Sequence, residues 1–324
     1  MGRLIILRYL VKILSFAISV FLVCVAFSGE SHSNRLGADK TPNLAKIWGS
    51  SSDSWADPSQ NNLAPSTAGD SDLGEQQVLM PPPEYLPFSF GLTARTHWTS
   101  NASLADLDTL TELDDIYSAS ALRFDYLPKI GDNTNFEFSA GYSLYRYLDH
   151  SSLDFDRFET SLGLIHIFRD LNNLIGWTRL KNLRILPPSG HDVLFTDNSL
   201  ELGLYYPIPL SSRHKAFGIY SSKFSLDSNP GSARLHEHGL SGGYTYTPNQ
   251  RFEISAYGGF QVYDSVESGR TDLLYSLGLS LSTHLTDRID AVISANYSRN
   301  DSNTTGFDYK VADIGAEIGL TIQF

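Results

Sequence analysis

The chain has 324 residues, 12% of them aromatic (17 Tyr, 18 Phe and 4 Trp), and a formal net charge of −12. That acidity leaves no basic stripe for a phosphate backbone, so nucleic acid is excluded as a partner. A polytopic helical membrane protein is excluded too, because only the extreme N-terminus carries an apolar run near the required 18 residues.

In chain order, residues 1–28 have the layout of a secretory signal. Arg3, Arg8 and Lys12 form a positive region, an apolar stretch follows from Ile13 to Phe27, and Ala26-Phe27-Ser28 places small residues at the cleavage positions before Gly29. A membrane anchor is the alternative, but Glu30 ends the run early. The single cysteine, Cys24, lies inside this segment. The exported chain is therefore expected to hold no disulfide and no thiolate metal site. Residues 29–84 are rich in Ser, Asp, Asn and Pro and end in Pro81-Pro82-Pro83. They show no apolar period and are expected to form a disordered tether, with Leu44, Ile47, Trp48 and Trp55 as a conceivable docking element.

From Tyr85 the pattern changes to segments of 10 to 13 residues with a two-residue period. Twelve strands are expected, near 88–98, 115–126, 135–147, 156–168, 174–186, 198–208, 214–225, 236–247, 251–263, 272–283, 289–299 and 310–324. In the first, Phe88, Phe90, Leu92, Ala94 and Trp98 alternate with Ser89, Gly91, Thr93, Arg95 and His97. In the last, Ala312, Ile314, Ala316, Ile318, Leu320, Ile322 and Phe324 alternate with Asp313, Gly315, Glu317, Gly319, Thr321 and Gln323. The strands near 115–126, 174–186 and 214–225 alternate poorly, and Trp177, Arg179 and Lys181 share a parity that assigns no face. Short connections alternate with longer polar ones such as 99–114, 148–155 and 300–309. An even strand count with short turns on one side and long loops on the other predicts an all-β fold: an antiparallel transmembrane β-barrel of about twelve strands. Aromatic residues near strand ends (Phe88, Trp98, Tyr126, Phe136, Phe155, Phe168, Tyr246, Phe252, Tyr263, Tyr297 and Phe324) read as interfacial girdles. A soluble β-sandwich would also alternate, but its strands are shorter.

The closing residues Ile318, Leu320, Ile322 and Phe324 resemble the C-terminal signal of bacterial outer-membrane β-barrels. The resemblance spans 85–324 as architecture and is specific only in the last strand. It implies an outer-membrane location among outer-membrane lipids, with this terminal strand read by the barrel-assembly machinery. The short turns, both termini and the tether 29–84 would then be periplasmic.

The polar parity predicts a lumen carrying Arg95, Glu137, Glu159, Glu201, Arg251, Glu253, Asp313 and Glu317. These residues fit a charged constriction selecting small solutes, which makes the barrel a passive channel. They fit equally a salt-bridged plug in a closed structural or adhesive barrel that binds through its loops. A phospholipase-like enzyme is a third reading, for which His150-Ser151-Ser152, or His236 with His238, would supply the Ser–His chemistry. No cofactor is expected. Asp106, Asp108, Glu112, Asp114 and Asp115 form an acidic loop without the spacing of an EF-hand, which reads as solvated surface rather than a Ca²⁺ site. Two imidazoles at 236 and 238 are too few for a metal centre.

Overall fold

A computed structural model describes residues 86–104, 113–190 and 192–324. The signal 1–28, the tether 29–84 and most of the acidic loop (Asp106, Asp108 and Glu112) lie outside the described residues. Thirteen strands are present: β1 (Phe88–Thr99), β2 (Asp115–Tyr126), β3 (Lys129–Gly131), β4 (Thr134–Tyr147), β5 (Phe155–Phe168), β6 (Leu174–Leu186), β7 (Phe195–Pro209), β8 (His214–Asn229), β9 (Leu235–Asn249), β10 (Phe252–Ser265), β11 (Thr271–His284), β12 (Ile289–Ser302) and β13 (Tyr309–Gln323). β3 is a short rung folded against β4 at a turn. The other twelve are the expected strands, and they form the wall.

Each wall strand pairs antiparallel with the wall strand that follows it, and β1 pairs with β13 from Ser89↔Gln323 to Thr99↔Asp313. The sheet thus closes on itself and leaves no unpaired edge. Closure matters because backbone N–H and C=O groups in hydrocarbon have no water to bond. The last rung ties Phe88 and Phe324 by a reciprocal pair of backbone hydrogen bonds, both 3.1 Å.

The strands are strongly staggered. From Phe88 at the turn end, partner follows partner through Tyr126, Phe138, Leu162, Leu180, Leu200, Phe224, His236 and Asp264 to Thr271 at the loop end. This climb is the tilt and shear that barrel closure demands. One irregularity interrupts it. The β7–β8 register shifts between Asn198 and Ser199, where Ser199 faces Ser225 but Asn198 faces Asp227, so Leu226 bulges.

The burial pattern is inverted relative to a soluble protein. Leu277, Leu279, Ile293 and Ile314 are 64%, 61%, 59% and 54% exposed, whereas Glu137, Asp125 and Asp197 are almost fully buried. A sandwich would bury those aliphatic side chains in its core. Here they face outward and the carboxylates face inward, the arrangement of a membrane barrel. At the turn end Phe88 stacks on Tyr126 and on Phe324, with ring centroids 4.6 and 5.7 Å apart. Trp98 stands on the same outward face at the other end of β1. Ten residues of strand, about 33 Å long and tilted roughly 45°, separate the two levels by about 23 Å, close to the apolar band of such barrels. Not every expected girdle aromatic faces outward. Phe155 points into the barrel, where its ring stacks on Tyr145 at 4.4 Å, and Tyr263 faces inward to donate to Gln261.

Turn chemistry explains where the hairpins fold. Asn172 and Asn173 both take left-handed φ, 54° and 59°, which closes β5–β6 tightly. The Asn249 side-chain oxygen accepts the N–H groups of Arg251 and Phe252, at 2.9 and 3.1 Å, and ends β9.

Candidate functional site

The inward face of the wall is the candidate site, and it is built along one register line. Glu137, Gly163, Arg179, Glu201, Lys223, Glu237, Tyr263 and Asp272 are successive cross-strand partners on β4 to β11. Charges of alternating sign therefore spiral up the wall with the strand tilt. Glu137 receives the Arg179 guanidinium as a fork, with Nε at 2.5 Å and a terminal nitrogen at 3.0 Å. The pair reaches across β5 because Gly163 lies between them. A side chain there would put its Cβ 2.8 Å from Arg179 Cγ and closer still to the Thr178 carbonyl. Arg179 also lies 3.8 Å from Glu201, and Lys223 bridges Asp197 and Glu237 at 2.9 Å each. The Gln261 amide donates to Glu237 at 3.0 Å.

Neighbouring rows repeat the pattern. Lys181 and Arg157 both pair with Glu159, at 3.1 and 2.5 Å, and Arg123 pairs with Asp125 at 2.8 Å. Arg95 donates to the Tyr145 hydroxyl at 2.7 Å with its guanidinium over that ring. Arg157, Arg179, Lys181 and Lys223 are thus held flat against the wall by carboxylates.

β10–β13 are built differently. Their inward positions carry Ser255, Gly259, Ser276, Gly278, Ser280, Ser282, Ser294, Asn296, Ser298 and Gly315, with the acids Glu253, Asp272, Asp290, Asp313 and Glu317. Asp290 pairs with His284 at 2.5 Å and Glu317 faces Arg95 across the β1–β13 seam, but none of the four strands itself turns a Lys or Arg inward. Large inward rings are folded down onto glycines of an adjacent strand. Trp177 covers Gly203, Phe217 covers Gly243, Tyr257 covers Gly278 and His97 covers Gly315, each a register pair. Rings lying along the wall occupy less of the lumen than rings standing out from it.

Of the sequence-derived candidates, Arg95, Glu137, Glu159, Glu201, Glu253, Asp313 and Glu317 lie on the inward face. Arg251 does not join them. The Asn249 cap ends the strand before it, leaving Arg251 exposed in the β9–β10 turn, where its carbonyl accepts the His284 N–H at 3.0 Å. Sequence reasoning missed Arg157, Arg179, Lys181 and Lys223, the cations that neutralise the predicted acids. The shared parity of Trp177, Arg179 and Lys181 was the available signal.

The histidines singled out for Ser–His chemistry have other partners. His150 is occupied by Asp115, whose carboxylate accepts the His150 ring and backbone N–H, both at 3.0 Å, and the Asp149 N–H at 3.1 Å. His236 and His238 face outward and Glu237 inward. The His238 ring meets Ser222 Oγ at 2.9 Å, but Ser222 is 5% exposed and also contacts the Tyr220 hydroxyl. Among the described residues no three His, Cys, Asp or Glu side chains are grouped to hold a metal ion.

No protein-family model and no curated protein matches the sequence. Solved structures do match. An outer membrane channel from Pseudomonas putida F1 aligns with a TM-score of 0.52 at 11% identity, over 75% of this chain and all of that one. The NanC porin aligns at 0.40 and 13% identity, over 71% of this chain and 98% of its own. The translocator domain of the autotransporter NalP from Neisseria meningitidis aligns at 0.41 and 10% identity, over 74% and 89%. The first of these shows that the fold is shared.

Proposed function

We propose that this chain, whose fold is that of a bacterial outer-membrane β-barrel, is a passive channel for small hydrophilic solutes with a preference for cations. The observation that carries the reading is the division of the inward face. Arg157, Arg179, Lys181 and Lys223 are tied to carboxylates, while the inward positions of β10–β13 offer small polar side chains and acids without a Lys or Arg among them. Small side chains leave room for a solute, and a surplus of carboxylates lowers the energy of a cation beside them. Binding stays weak because each contact is a single hydroxyl or carboxylate. Placement in the outer membrane by the signal 1–28 and the barrel-assembly machinery belongs to the same proposal, as does a role without catalysis.

Planar-bilayer recording of the folded protein under a KCl gradient tests it. Conductance steps with a reversal potential of cation-selective sign are expected. The Glu253→Gln/Asp313→Asn variant should lower the K⁺/Cl⁻ permeability ratio by about twofold while keeping the steps. Folded protein that gives no steps overturns the pore.

A further inference from the structure

The outward face of β11–β13 carries a site that the lumen does not use. Cross-strand register sets its layers. Tyr275, Arg299 and Lys310 form one row toward the loop end, with Asp301 beyond it. Leu277, Tyr297 and Ala312 form the row below, and Leu279, Ala295 and Ile314 the row below that. A cleft of about 320 Å³ opens between Tyr275, Leu277, Tyr297, Arg299 and Asp301. Arg299 donates through Nε to Asp301 at 2.7 Å, which fixes the guanidinium and leaves its two terminal nitrogens for another acceptor.

We infer that this cleft binds one molecule of an anionic phosphorylated membrane lipid. Charge complementarity argues for it: Arg299 and Lys310 against Asp301 leave a net positive row on an otherwise acidic chain. Position argues for it as well. Because register partners climb toward the loop end with the strand tilt, Arg299 and Lys310 stand higher than Tyr275 and Tyr297, and the two tyrosines stand higher than the exposed Leu277 and Leu279. That sequence of cation, aromatic and aliphatic layers matches phosphate, glycerol or sugar, and acyl chain in order of depth. The alanines Ala295 and Ala312 keep the lower rows shallow, so an acyl chain can lie beside Tyr297. The guanidinium offers a phosphate two parallel donors, and Lys310 adds a point charge.

The test uses the full folded chain in neutral detergent, titrated with phosphatidic acid, phosphatidylcholine or diacylglycerol, with bound lipid counted by native mass spectrometry. Phosphatidic acid should be retained above the other two. Arg299→Gln/Lys310→Gln should weaken its retention about tenfold. Arg184→Gln, which removes an outward arginine from β6, should leave it unchanged. Heat-dependent gel migration certifies that each variant is folded; should the double variant not fold, Arg299→Gln alone is read, with a loss of several-fold expected. Equal retention of the three lipids, or equal losses from the β6 and β12–β13 variants, overturns the site.

Discussion

Arg179→Met should lower the unfolding free energy by about 3–5 kcal/mol, the range seen when one member of a buried ion pair is removed. Glu137 is 1% exposed and Arg179 8%, so neither faces free water even on the lumen side. Methionine keeps the aliphatic stem that packs against Gly163 but leaves the Glu137 carboxylate without the fork that solvates it. Most of the cost therefore comes from the unpaired carboxylate that remains buried. Glu137→Leu/Arg179→Met, which removes both charges, should recover to within about 1–2 kcal/mol of the parent. Urea titration of the refolded barrel, followed by the loss of its heat-modifiable migration, measures both. A single variant within about 1 kcal/mol of the parent would show that water reaches Glu137 and that the wall network is not dry.

Gly203→Ala should cost about 1–3 kcal/mol, opposite to the usual gain when a strand glycine is replaced. A Cβ at 203 would overlap Trp177 Cζ2 and Cε2 and sit 2.5 Å from Cη2. The ring cannot yield by a few tenths of an ångström, so it must leave the wall. It then stands into the lumen, and the single-channel conductance should fall along with the stability. Trp177→Ala in the same background should restore the conductance, because an alanine at 177 has nothing to displace. Restoration of neither quantity would mean that Gly203 acts through backbone freedom and not as a seat for the ring.

Strand alternation was legible because the two faces meet two solvents. Where lipid is on one side and polar lumen on the other, as in β1, β11 and β13, the period is clear and the expected boundaries fall within about three residues of those observed. It blurred in β6 and β8 for an identifiable reason. β6 turns Ile175, Trp177, Arg179 and Lys181 inward, an apolar pair followed by two cations, while its outward Asn182 and Arg184 stand near the loop end. β8 places Phe217 and Ile219 inward and Ser222 outward, and the bulge at Leu226 then changes its phase. These are the strands that supply Arg179, Lys181 and Lys223, so parity did not assign these three cations to a face. Arg251 failed differently: parity alone extends a strand past the point where an Asn side chain has already turned the chain. The outward site was not visible at all, since Tyr275, Arg299 and Lys310 meet only through the register of three strands.

The spiral of paired positions from Phe88 to Thr271 also governs which length changes this molecule can accept. Around a ring, every partner choice is constrained by all the others, so one residue added inside a strand has no free edge at which the misfit could be discarded. It must either reverse the inside and outside of everything beyond it or be expelled as a kink, and the β7–β8 seam with Leu226 already shows the second outcome. Insertions of tags or epitopes are therefore best directed to a crest between strands, such as 267–269, where added length changes no strand pairing.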